Sequence, residues 1–138
     1  MPLRRNVKVK LIGGVPLFAN CSSAELGRIA SVADELDVPE GHTIIREGDR
    51  GREFFVIASG GVRVTRKGRK LRELGSGEWV GEISLISDMP RTATVVTTAP
   101  TRLLVVTDRD FRHVLRQSPS IAIKLLDRLA DRLRVIDA

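Results

Sequence analysis

The chain has 138 residues, 42% of them hydrophobic and 29% charged, which is enough apolar material for one folded domain and too much for disorder. One cysteine, Cys21, and two histidines, His42 and His113, exclude an intrachain disulfide and a zinc site built from nitrogen and sulfur ligands alone. No apolar run approaches the ~18 residues that span a bilayer, and the N-terminal MPLRRNVKVK lacks the apolar segment of a signal peptide, so the expected location is cytoplasmic.

The net charge of +6 is unevenly placed. Arg4, Arg5, Lys8 and Lys10 lie in one short stretch, and Arg63, Arg66, Lys67, Arg69, Lys70 and Arg72 in another, with no acid in either. Together they carry +10, so the remainder sums to −4. Residues 1–15 therefore read as a basic N-terminal tail and 63–72 as a solvated hairpin. The first predicted helix begins at Ser22-Ser23-Ala24-Glu25, a capping box with Ser22 as N-cap and Glu25 three residues on. Leu26, Ile29, Ala30 and Ala33 follow at helical spacing, and Pro39-Glu40-Gly41 turns the chain. Cys21 stands just before the helix start, where a thiol pKa can be lowered, but it has no readable partner and is taken as structural.

Residues 42–107 then read as short strands: Thr43–Arg46, Glu53–Ser59, Val62–Arg66, Arg69–Leu74, Thr92–Thr97 and Arg102–Thr107. Gly48-Asp49, Gly60-Gly61, Lys67-Gly68 and Gly75-Ser76-Gly77 separate them. Val62 and Val64 alternate with Arg63 and Thr65, the pattern of a strand with one dry face. Such spacing predicts an antiparallel sandwich or barrel. Residues 108–138 return to helix. Thr107 or Asp108 caps a segment carrying Phe111, Val114 and Leu115. Ser118-Pro119 restarts it, and Leu126, Leu129, Leu133 and Ile136 form an apolar stripe to the end. That stripe suits core packing, a lid or a dimer seam.

The segment from Gly81 to Val95, GEISLISDMPRTATV, is unlike the rest. A glycine lets backbone approach a ligand closely. A carboxylate and a short helical stretch follow. Then Pro90 precedes Arg91 at the start of an apolar strand. A cation leading into a core requires a counter-anion, and the guanidinium fork suits a phosphate. Glu82 would repel a phosphate but accepts a hydrogen bond from a sugar hydroxyl, as acidic residues do in dinucleotide sites. Phosphate plus ribose points to a nucleotide.

This segment resembles the phosphate-binding cassette of cyclic-nucleotide-binding domains, the family of bacterial catabolite activator proteins, regulatory subunits of cyclic-AMP-dependent kinase and cyclic-nucleotide-gated channels. Arg46-Glu47-Gly48-Asp49, the run from Phe55 to Val64 through Gly60-Gly61, and the approach from Leu74 to Glu82 resemble the family in the same order, and the resemblance covers residues 16–138. It implies an eight-stranded antiparallel jelly roll (a double-stranded β-helix) over 42–107, an N-terminal helix, and two C-terminal helices over 108–138. It also implies that Arg91 pairs with the exocyclic phosphate oxygens, Thr92 adds its hydroxyl and Ala93 its N–H. Glu82 takes the ribose 2′-OH, and Gly81, Ile83 and Ser84 surround the sugar and phosphate. Val64 and Leu71 line the base pocket, with Arg72 nearby, and Arg132, Leu133 and Arg134 are candidates for base contact.

The implied ligand is cyclic AMP ahead of cyclic GMP, with no metal, no other cofactor and no catalysis. Thr92 does not decide between the bases. Closure of the last helix over the base is the expected output, passed to an effector domain, a partner protein or a second copy through that helix. A catabolite-activator-like protein would continue into a helix-turn-helix after residue 138. A nucleic-acid-binding or protein-interaction module on a ligand-free jelly roll is the competing reading. Only five aromatics, four Phe and Trp79, are present, and none interleaves the basic segment, which disfavours nucleic acid. A metal-dependent barrel enzyme would need clustered ligands, and His42 and His113 stand apart in sequence.

Overall fold

The computed structural model describes residues 1–137. Its elements run α1 (Arg5–Gly13), a 3-10 turn (Pro16–Phe18), α2 (Ser23–Ala30), β1 (Asp34–Val38), β2 (Thr43–Ile45), β3 (Glu53–Ser59), β4 (Gly61–Arg66), β5 (Arg69–Gly75), β6 (Trp79–Val80), a second 3-10 turn (Glu82–Leu85), β7 (Thr94–Thr97), β8 (Thr101–Thr107), α3 (Asp108–Gln117) and α4 (Pro119–Asp137).

The eight strands form two antiparallel four-stranded sheets, ordered β1-β8-β3-β6 and β2-β7-β4-β5. This mainly antiparallel β architecture with flanking helices is consistent with the expected jelly roll. The apolar residues divide into two cores. Ile57, Val62, Val64, Val95 and Leu103 fill the space between the sheets. Phe18, Phe54, Phe111, Ile121 and Leu125 pack between one sheet and the helices. Successive side chains on a strand point to opposite faces, so the pair Phe54-Phe55 in β3 serves both cores. The Phe18 ring stands 5.9 Å from Phe54 and 5.8 Å from Phe111, the latter edge-on.

Local chemistry explains most boundaries. Ser22 and Glu25 form the reciprocal capping box at α2. Thr107 accepts a hydrogen bond from the Asp110 N–H at the start of α3. Lys67 and Gly68 both take positive φ, at 50° and 77°, in the two-residue turn between β4 and β5. Val62 and Val64 are buried while Arg63 is exposed, as the alternation predicts.

Four expectations are corrected. Residues 1–15 are not a solvated tail: nine of them form α1, and Ile12 and Val15 are fully buried. Arg4, Arg5 and Lys10 are exposed and Lys8 is half-buried, donating to Ala33 O, while Ile12 and Val15 join the helical core. Secondly, α2 stops at Ala30, and Asp34–Val38 is a strand ahead of residue 42. Its sequence DELDV carries only two apolar residues, Leu36 and Val38, and is mostly exposed, and pairing with β8 forms it. The two-residue strand β6 was likewise too short to read. Finally, the α4 stripe is split. Ile121 and Leu125 are the buried pair and Leu129 packs beside them, whereas Leu126 and Leu133 are exposed. Ile136 lies outside the residues whose side chains are described.

Candidate functional site

The 3-10 turn Glu82–Leu85 and the chain up to β7 bend around one side of the barrel. Gly81 starts that bend with φ +84°, in the left-handed region. The loop between β2 and β3 holds the far end. Arg91 N–H donates to Asp49 O at 2.7 Å, Gly48 N–H donates to Arg91 O at 2.9 Å, and Arg50 pairs with Asp88 at 2.9 Å.

Arg91 is the centre of this segment. Its side chain is only 8% exposed. One guanidinium nitrogen donates to Ser84 Oγ at 2.8 Å and another to the Glu53 backbone carbonyl at 2.6 Å, and the Glu53 carboxylate lies 3.7 Å away. Burial pushes the pKa of this guanidinium down, and Glu53 opposes the shift. An arginine side chain stays protonated regardless, so the segment buries a permanent cation beside one partly exposed carboxylate.

A cavity of about 310 Å³ opens beside it. Gly81, Glu82, Ile83, Ser84, Arg91, Thr92, Ala93 and Val64 all line it, so eight of the nine residues predicted for the site are brought together. Ile45, Val64 and Val95 give the lining apolar surface, while Arg72, Glu82 and Arg91 give it charge. A ligand that carries both an anionic group and an apolar body matches that lining.

Leu71 is the predicted residue that does not line the cavity. A bulge in the β4–β5 pairing sets Val64 opposite Arg72 and Thr65 opposite Lys70, which leaves Leu71 unpaired and 49% exposed. Arg72, expected only nearby, lines the cavity instead. Arg132, Leu133 and Arg134 lie on the exposed part of α4 and contribute nothing to the lining. The sequence reading missed Glu53, Gly51 and Trp79. Glu53 acts through a backbone carbonyl, which carries no residue signature; Gly51 falls between the segments read as strands, and Trp79 lies in the approach from Leu74 to Glu82, where no site role was assigned to it.

His42 donates its backbone N–H to Thr97, and His113 lies exposed on α3. Burial and the Glu25 carboxylate push the Cys21 thiol up, away from the lowered value that a helix start can produce.

The cyclic nucleotide-binding domain family matches residues 35–118, a span containing every element of this site. The chain belongs to that family. It is 35% identical over 129 residues to the Cyclic AMP receptor protein of Thermus thermophilus, covering 90% of this chain and 60% of that one. It is 34% identical over 113 residues to the cGMP-dependent protein kinase egl-4 of Caenorhabditis briggsae, covering 78% of this chain and 15% of the kinase. The N-terminal domain of a transcriptional regulator from Streptomyces coelicolor superposes with a TM-score of 0.84 at 30% identity, covering 94% of each chain. The chain thus spans 60% of the length of the first of these relatives and 15% of the second.

Proposed function

We propose that this domain is a sensor that binds a cyclic nucleotide, cyclic AMP ahead of cyclic GMP, and signals through α4 without catalysing a reaction. The observation that carries the reading is the buried Arg91 cation, which lines the cavity together with Glu82. Arg91 would pair with the exocyclic phosphate oxygens, displacing its weak contact with the Glu53 carboxylate. Thr92 would add a hydroxyl and Ala93 an N–H. Glu82 would accept from the ribose 2′-OH, with Gly81, Ile83 and Ser84 closing around the sugar. Val64 would meet the base. The two antiparallel four-stranded sheets are consistent with a jelly roll, the frame expected for such a site.

Output follows from α4, which spans 19 residues and exposes Ile123, Leu126 and Leu133. Closing over the cavity, or pairing with a second copy, would bury that surface. Shifting such a helix from 1:99 to 99:1 takes about 5.5 kcal/mol of differential binding. A micromolar ligand has about 8.2 kcal/mol in total, so most of the binding energy must be state-selective. An effector domain or partner protein would read the helix position in the cytoplasm.

Isothermal titration of nucleotide-stripped protein with each cyclic nucleotide tests the proposal. Saturable binding, tighter for cyclic AMP, is the expected result. Binding of neither would leave the fold and overturn the sensor reading.

A further inference from the structure

Glu25 does more than cap a helix. In a capping box the acidic residue accepts one hydrogen bond, here from the Ser22 N–H at 2.8 Å, and ordinarily stays in water. This Glu25 is 4% exposed. Its second oxygen accepts from the Ser120 hydroxyl at 2.5 Å, and Lys124 bonds the first. Both added partners lie on α4, 95 and 99 residues away. A carboxylate is costly to bury, and the two donors from α4 add to the Ser22 N–H in offsetting that cost.

The rest of the α4 anchorage lies close by. Ile121 and Leu125 enter the helical core, and Arg128 donates to Pro16 O at 3.0 Å. Beyond that point Leu133 and Val135 are exposed, and the ion pairs of Arg128 and Arg134 are with Asp131 of the same helix. No described α4 residue lines the cavity. The helix is therefore fastened over its first three turns to the N-terminal helical layer and held away from the site. Apolar contacts tolerate sliding, whereas a buried carboxylate with three donors has one geometry.

We propose that Glu25 is a latch: its carboxylate, through Ser120 and Lys124, holds α4 in the arrangement that leaves the cavity uncovered, and so sets how much ligand energy is spent moving the helix. This rests on the reading of α4 as the element that closes on a cyclic nucleotide. Releasing the latch removes a penalty on closure, so it tightens binding rather than weakening it.

The test compares wild type, E25Q, K124M and the double variant. In titrations with cyclic AMP and cyclic GMP, each single variant is expected to bind about fivefold more tightly or better. The double variant should gain no more than either single, because both changes release one contact. Mere destabilisation of the fold would not raise affinity. Unchanged or weakened binding by both singles overturns the latch. Hydrogen exchange without nucleotide supplies a second reading. The latch requires faster exchange over residues 119–129 in E25Q and K124M with the sheets unchanged, and equal exchange overturns it. If wild type binds neither nucleotide, the binding reading fails and the exchange result alone decides the latch. If E25Q misfolds, K124M and S120A leave the capping box intact and carry the same test.

Discussion

Gly51 lies under the Arg91 side chain so closely that a Cβ there would sit 2.8 Å from Arg91 Nε and 2.9 Å from its Cδ. The same Cβ would stand 2.2 Å from Ser84 Oγ. The serine hydroxyl can rotate away, but the arginine stem is enclosed. The glycine is thus what allows the cation to lie flat against the loop and reach both Ser84 and Glu53. Gly51→Ala is expected to displace Arg91 and weaken cyclic-nucleotide binding by about tenfold, about 1.4 kcal/mol. Titration checks this, with a thermal melt confirming that the variant folds.

Arg91→Ala and Arg91→Lys are both expected to abolish binding. Lysine keeps the charge but loses the planar fork that donates to Ser84 and Glu53 while facing the cavity. Glu82→Ala should weaken binding by about 1.5–3 kcal/mol, the range for a hydrogen bond to a charged group, without abolishing it. Unchanged affinity in Arg91→Ala would show that the cavity is not the binding site.

Gly81 offers a separate test of backbone strain. Its φ is +84°, and a Cβ would meet Arg91 Nη1 at 2.5 Å and Glu53 O at 2.9 Å. Gly81→Ala should therefore lower stability by about 1–3 kcal/mol as well as disturb the arginine. Chemical denaturation measures the first effect and titration the second.

The Glu25 carboxyl pKa is lowered from 4.5 to about 2 by hydrogen bonds from Lys124, then Ser120, then the Ser22 N–H. A carboxyl depressed on folding stabilises the protein above its unfolded value, and that stability is lost as pH falls toward the folded value. Melting temperature should therefore drop between about pH 4.5 and 2, with a shallower fall in E25Q. Lys124 and Cys21 are the other titratable groups facing Glu25, and burial pushes the Cys21 thiol up, away from that range.

Pairing of two copies through α4 would bury Ile123, Leu126 and Leu133, which are 61%, 64% and 59% exposed. Sedimentation of the wild type should then show a dimer, and Leu126→Glu with Leu133→Glu a monomer. A monomeric wild type would leave that surface to the barrel or to another protein.

Much of this protein is determined locally and is therefore readable in one dimension. The Ser22–Glu25 box, the Lys67-Gly68 turn and the Val62–Val64 alternation act through neighbours a few residues apart, so their spacing alone specifies them. The tertiary structure decided everything that depends on partners distant in sequence. It made Asp34–Val38 a strand by pairing it with β8, and turned a basic N-terminal stretch into a helix by burying Ile12. A bulge exchanged Leu71 for Arg72 at the cavity, and the rotation of α4 selected Ile121 and Leu125 over Leu126 and Leu133. Glu25 shows both levels in one side chain. Three residues of sequence make it a cap, and a helix 95 residues away, delivered only by folding, makes it a buried ion.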